Sequence, residues 1–179
     1  ASFAKVSVDA IKDLIAKKMG KPVKGLKVWL EHEESIYGTS IAKAQKDELE
    51  AAGAEVVGVG AHSYKSVDLT DSILRAKKAS PDVWVQTGYV PDTNLLLRTM
   101  REQGFKPSAV VLVGSGDTAE TLKAVGTYLD GVFVVSYPRP DVKESYGPGS
   151  DKYLAAYKKK YGRDPIAPQS MTGYVGVKM

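Results

Sequence analysis

The chain has 179 residues, 43% of them hydrophobic, with 25 basic against 21 acidic side chains dispersed along it, a formal charge of +4 and no cysteine. That is enough apolar material for one substantial core, while charge so evenly spread argues against nucleic acid as a partner. Disulfides, thiolate metal sites and cysteine nucleophiles are excluded, and the longest apolar run, near Ala109 to Val113, is far short of the roughly 20 residues that span a bilayer.

Ala1 to Lys5 shows neither an initiator Met nor the apolar core of a signal peptide, and Met179 stops in an uncapped stretch, so the chain reads as a piece of a longer one. Val8, Ile11, Leu14, Ile15 and Met19 recur at helical spacing and predict a first helix that stops at Gly20 and Pro22. A strand is predicted over 26–30. Ile41, Ala44, Leu49 and Ala52 then mark a helix that ends at Gly53, and a second strand is predicted over 55–59. Asp68 is placed to cap a helix bearing Leu69, Ile73 and Ala76, which Ser80-Pro81-Asp82 breaks before a third strand at Val83-Trp84-Val85. A Pro-initiated helix follows over 91–103, then a strand over 109–113, a short helix from about Asp117 to Val125, and a fifth strand over 132–135 that leads into Tyr137-Pro138-Arg139-Pro140. Beyond it, Tyr153, Leu154 and Tyr157 share helical spacing, with Lys158, Lys159 and Lys160 as a solvated face.

Five short apolar strands alternating with helix-length segments predict an α/β fold, a doubly wound parallel sheet of about five strands with helices on both faces. Ligands of such sheets sit beyond the carboxyl ends of the strands. The informative stretches are therefore Glu31 to Tyr37, Gly60 to Tyr64, Gln86 to Tyr89, Gly114 to Thr118 and Ser136 to Pro138.

Several chemistries fail at those positions. Gly58-Val59-Gly60 lacks the third glycine of a dinucleotide loop, and Gly20-Lys21 runs into Pro22 where a phosphate-cradling loop needs a hydroxyl residue. Gly114-Ser115-Gly116 sets its serine one residue too close to the first glycine for a hydrolase elbow. His32 and His62 do not make a metal site by spacing, and each reads as a loop residue with a local hydrogen bond. No cofactor is called for. A phosphoacceptor domain would carry an aspartate and a lysine where Thr87-Gly88 and Ser136-Tyr137 stand.

What remains suits holding a small molecule. Tyr37 and Tyr89 offer flat faces with hydroxyl rims, Ser115 and Thr118 offer hydroxyls, and Gly88, Gly114 and Gly116 allow backbone amides to approach a ligand. Glu33, Glu34 and Asp117 could meet a cationic group. Each has a plainer reading: Asp117 as a helix N-cap, Glu33 and Glu34 as solvated loop charges, Ser115 as a partner for backbone groups in a glycine turn. Tyr89 is the sharpest signal, because a short polar residue would start the helix after it equally well.

The stretches "EHEESIYGTSIAKAQKDELEAAGAEVVG", "DLTDSILRAKKASPDVWVQTGYVPDTNLLLRTMREQGFKP", "DGVFVVSYPRP" and "YLAAYKKKYGRDP" together resemble the branched-chain amino-acid binding proteins of bacterial ABC transporters. The resemblance implies a periplasmic two-lobed receptor without enzymatic activity, which closes on an amino acid or related carboxylate and presents it to a membrane permease. It makes 1–138 the second ligand-binding lobe and 139–179 a helical return into a first lobe. It places Tyr89 on the ligand cleft and Tyr37 on an opposing loop, and to these the strand-end residues themselves add Glu34, Gly88, Ser115 and Asp117 as ligand-binding candidates. Family members that bind aliphatic amino acids carry an acid after the fourth strand to meet the ligand ammonium; here that neighbourhood reads Leu112 to Asp117, and if Asp117 cannot reach the cleft a carboxylate without an ammonium is expected.

One wall of a clamp should bind its ligand at millimolar strength or worse. Tyr146, Tyr153, Leu154, Tyr157 and Tyr161 would leave an apolar surface through which the chain could dimerise or exchange its C-terminal segment. Two other readings stay open: a ligand-sensing domain of a regulator on the same fold, and a small α/β hydrolase using Ser115 or a histidine.

Overall fold

The computed structural model describes residues 3–137, 149–165 and 169–178, so the expectations placed on Pro138, Arg139, Pro140, Tyr146 and Met179 lie outside the described residues. The chain divides into two units, Ala1–Ser136 and Tyr137–Met179. In the first, the strands are β1 (Lys27–Glu33), β2 (Glu55–His62), β3 (Val83–Thr87), β4 (Ala109–Val113) and β5 (Phe133–Val135). The helices are α1 (Phe3–Ala10), which runs through a π-helical stretch at Ile11–Ile15 into α2 (Ala16–Lys18), then α3 (Ile36–Ala51), α4 (Thr70–Ala79), α5 (Val90–Glu102) and α6 (Ala119–Val125), the last followed by a 3-10 turn at Gly126–Leu129.

Among the described residues these five strands form one parallel sheet in the order β2-β1-β3-β4-β5, the α/β doubly wound architecture that the alternation predicts. The chain steps outward from β1 to β2 and then returns past β1 to β3, so right-handed crossovers send α3 to one face and α4, α5 and α6 to the other. The strand residues divide accordingly. Val28, Leu30, Val83, Val85, Val111 and Val113 join α1 and α3 in one apolar cluster, while Trp29, Trp84 and Leu112 join Ile73, Leu96, Leu97 and Met100 in a second. Each fully buried aliphatic side chain contributes about 1.5–3 kcal/mol through its removal from water.

β1 and β2 run three residues beyond their predicted ends, because each still has a paired neighbour: Glu31 lies against Gly60 and Gln86, His32 against Ala61 and Thr87, and Glu33 against His62. Parallel pairing draws polar residues into strands that hydropathy alone would have closed at Leu30 and Val59. Gly58 and Gly60 are also explained by pairing. A Cβ on Gly58 would overlap the Trp29 ring, and one on Gly60 would overlap the Glu31 carboxylate.

At the amino edge, the Asp82 carboxylate accepts from the Lys27 backbone N–H and pairs with Lys21, which ties the start of β3 to β1. Burial alone would raise its pKa, but the bonds from Lys21 and Lys27 win and hold it low. In the second unit, α7 (Ser150–Tyr161) and α8 (Gln169–Lys178) carry a tyrosine ladder, with ring centroids 5.8 Å apart for Tyr153 and Tyr157, 4.5 Å for Tyr157 and Tyr161, and 4.6 Å for Tyr153 and Tyr174. Lys158, Lys159 and Lys160 are exposed.

Candidate functional site

The reversal of strand order falls between β1 and β3, the place where such sheets open a crevice beyond their carboxyl ends. Two turns leave there. The first runs from β1 into α3 through Glu33-Glu34-Ser35, the second from β3 into α5 through Gly88-Tyr89.

The first turn is organised by Glu33, which is buried and not the solvated charge expected. Its carboxylate accepts from the Ser35 N–H at 2.7 Å, the Ser35 hydroxyl at 2.6 Å and the Gly38 N–H at 2.7 Å. Burial pushes the Glu33 pKa up, yet the bonds from Ser35 and Gly38 outweigh it and leave the acid below its usual range. A buried anion thus sits at the N-terminus of α3, where the helix dipole favours it. A Cβ on Gly38 would overlap the Glu33 carbonyl, which explains the glycine that follows Tyr37. The turn holds Tyr37, half-buried, in the first turn of α3, with its phenol against Gly114; that glycine stands at φ +78°, and a Cβ on it would overlap the phenol oxygen.

The second turn answers why a tyrosine precedes α5. The Asp92 carboxylate reaches back to accept the Tyr89 N–H at 2.9 Å, half of a capping box supplied from inside the helix. Capping is therefore done without the side chain at position 89, which is left for a ring. That ring is 40% exposed, stacks on Tyr37 at 5.7 Å between centroids, and meets Tyr64, from the segment after β2, edge-on at 5.5 Å. Three strand ends thus contribute one aromatic surface.

Beneath it lies a buried polar network. His62, the last residue of β2, brings Nδ1 to 2.9 Å from a Glu31 oxygen and Nε2 to 3.0 Å from an Asp92 oxygen; the histidine is 5% exposed and each acid 1%. The Trp29 indole N–H donates to Glu31 at 2.9 Å and the Gln86 amide to Asp92 at 3.2 Å. The Thr93 hydroxyl donates to the Gln86 carbonyl at 2.9 Å and lies 2.7 Å from the Ser115 hydroxyl. Burial lowers the His62 pKa, but the hydrogen bonds and charges of Asp92 and Glu31 dominate and raise it to about 9. Neither bond is the local loop contact expected of His62. His32, also in a strand, does keep a local one, from Nδ1 to the Glu33 carbonyl at 2.8 Å. The two nitrogens of His62 face opposite ways, so its acids do not converge on a point, and among the described residues no group of His, Asp and Glu is arranged to hold a metal.

The six candidate residues fall into two sets. Tyr37, Tyr89, Glu34 and Asp117 have surface: Glu34 is exposed and Asp117 half-buried. Gly88 and Ser115 are buried; a Cβ on Gly88 would overlap Asp92 and Gln86, and the Ser115 hydroxyl bonds to Thr93 and lies 3.4 Å from Gln86. Among the described residues the hydrogen-bond partners of the Ser115 hydroxyl are Thr93 and Gln86, neither of them the base that a serine nucleophile uses. The cap of α6 is Thr118, whose hydroxyl accepts from the Thr121 N–H at 3.1 Å, so Asp117 is not the N-cap, and among the described residues its side chain has no hydrogen-bond or ion-pair partner. Sequence reasoning missed Asp92, and it placed Glu31 and Tyr64 in its informative stretches without giving either a role. The available signals were the glycine that faces Glu31 in the next strand and an acid in the first turn of a Pro-started helix.

A family model described as periplasmic binding protein matches residues 4–179. Leu/Ile/Val-binding protein homolog 7 of Brucella suis biovar 1 (strain 1330) is 38% identical over 99% of this chain and 45% of its own length. Leu/Ile/Val-binding protein homolog 8 of Brucella abortus (strain 2308) is 38% identical over 99% and 44%. The chain thus spans about half the length of the curated relatives it matches. Among solved structures, a leucine-binding protein from Thermotoga maritima MSB8 superposes with a TM-score of 0.74 at 21% identity, over 98% of this chain and 47% of that one. A fatty acid ABC transporter substrate-binding protein from Thermomonospora curvata gives 0.75 at 21% identity, over 99% and 45%.

Proposed function

The chain belongs to the periplasmic binding protein family, and from that premise we propose that it carries one wall of the ligand cleft of a solute receptor serving an ABC permease outside the cytoplasmic membrane. In this reading Ala1–Ser136 is the second lobe of a hinged pair, and the cleft opens over the β1 and β3 ends. The observation that carries it is the aromatic surface of Tyr37, Tyr64 and Tyr89, which stands over the buried network of Glu31, His62 and Asp92. Such a surface accepts the apolar part of a small molecule and offers hydroxyls at its rim.

The names of the relatives cover branched-chain amino acids and a fatty acid, which share an apolar chain and a carboxylate. Asp117 favours the amino acid. It is half-buried in the turn between β4 and α6, free of the capping role, and a carboxylate without a partner among the described residues suits a ligand ammonium. Glu34, exposed and three residues before Tyr37 in the chain, is a second acid. A lone wall forgoes the burial that lobe closure supplies, so dissociation constants in the millimolar range are expected of this chain.

Titration of the labelled chain with L-leucine and with 4-methylpentanoate, its analogue without the ammonium, tests the reading by NMR. Shifts are expected at Tyr37, Tyr89 and Asp117 with L-leucine, weaker with the analogue. An Asp117→Asn chain should respond to both ligands alike. Absence of any shift at the tyrosines, or micromolar affinity for the isolated chain, would overturn it.

A further inference from the structure

Both ring nitrogens of His62 lie within hydrogen-bond distance of a carboxylate oxygen, Glu31 on one side and Asp92 on the other. A neutral imidazole has a single N–H and would turn a lone pair toward one of the two anions. With both acids ionised, the arrangement is complete only when both nitrogens donate. The bridge therefore links three elements through a shared proton count: β1 through Glu31, β2 through His62, and the first turn of α5 through Asp92. Among the described residues the ion-pair partners of the ring are Glu31 and Asp92. The helix packed over this side, α4, presents Ile73 and Ala76.

Asp92 has two tasks at once. One oxygen, Oδ2, is gripped by His62 and Gln86, and the other, Oδ1, holds the Tyr89 N–H. The position of the Tyr89 backbone, and of the ring that rests on Tyr37, follows from where that carboxylate is pinned. Gly60 and Gly88 support the same conclusion, because each leaves room for an acid of the bridge that a Cβ would displace.

We propose that Glu31 and His62 are positioning residues for the aromatic wall, acting through Asp92 to fix the Tyr89 turn against Tyr37 although neither reaches the crevice. The role extends the reading of Tyr89 as a ligand-facing residue and rests on it. Without the central cation, the two acids beneath Tyr89 repel each other and Asp92 loses the donor that orients it.

NMR of the labelled 179-residue chain tests this directly. In the wild type at neutral pH, both imidazole N–H protons of His62 are expected to be observable, together with a cross-relaxation signal between the Tyr37 and Tyr89 rings. His62→Gln should lose that ring signal while the β3 and β4 amides keep native shifts, and His32→Gln, the control, should retain it. A residue that contributes stability alone would leave the ring contact unchanged at temperatures where the chain is folded, so an undiminished signal in His62→Gln overturns the proposal. Should that variant not fold, the wild type supplies the test: raising the pH through the deprotonation of His62 should weaken the ring signal in step, and persistence to the end of the titration overturns it. Failure of the clamp reading would look different, with the ring signal dependent on His62 but no response of Tyr89 to L-leucine.

Discussion

The two faces of the sheet are built differently. The face under α1 and α3 is an aliphatic cluster of Val, Leu, Ile and Ala, in which the buried Gln45 amide donates to the Ser7 hydroxyl at 2.8 Å. The face under α4, α5 and α6 has two tryptophans at its centre and grades into ions and amides at the carboxyl edge, where Glu31, His62, Asp92 and Gln86 lie in the same layer as Trp29 and Trp84. An aliphatic cluster tolerates repacking, because its stabilisation depends on area and volume. A hydrogen-bonded ionic layer does not, since each group has one acceptable geometry. The tolerant packing lies under α1 and α3, and the exacting one lies under the Tyr89 turn.

The sharpest way to break this contrast is to remove one charge. Asp92→Ala strands His62 and the Tyr89 N–H together and should cost about 3–5 kcal/mol, read as a fall in the urea midpoint. On the opposite face Leu49→Ala should cost about 3 kcal/mol, while Leu49→Met, which keeps the volume, should cost less than about 1.5 kcal/mol in the same assay. If Asp92→Asn were tolerated as well as Leu49→Met, the contrast would be lost. Gly60→Ala forces a methyl onto the Glu31 carboxylate and should cost about 1–3 kcal/mol, with a change in Trp29 fluorescence, because its indole bonds that acid.

pH sharpens the comparison without mutation. The His62 pKa is raised from 6.5 to about 9, so the stability it contributes is complete below pH 6.5 and is lost as pH climbs through about 9. After allowance for screening the loss is on the order of 2 kcal/mol, visible as a declining urea midpoint across that window. His62→Gln should flatten the decline, and Leu49→Met should leave it unchanged. The smallest effect belongs to the surface: Lys43→Ala breaks an exposed pair with Asp47 and should leave the urea midpoint almost where it was, with any residual shift vanishing in high salt.

Much of this was legible in the residues. The alternation of apolar runs with helical periods marked the centres of the five strands. The strand ends were misplaced because Glu31, His32 and His62 are polar, and only a neighbour already paired on each side makes extension favourable there. Glu33 looked like a solvated charge because its partners, the Ser35 and Gly38 amides, come into reach only when the turn closes. The cap of α6 went to Thr118 and not to Asp117 by a shift of one residue, which spacing does not resolve.

The sequence by itself determined the class of fold, the order of its elements and the family, since all three rest on patterns within a few tens of residues. Tertiary structure alone decided that Tyr37, Tyr64 and Tyr89 form one surface, and that Glu31, His62 and Asp92 form one bridge. The bridge joins residues 30 and 31 positions apart. Contacts over that distance depend on which strands become neighbours, and strand order is set by the packing of the whole sheet, not by any local preference of the chain.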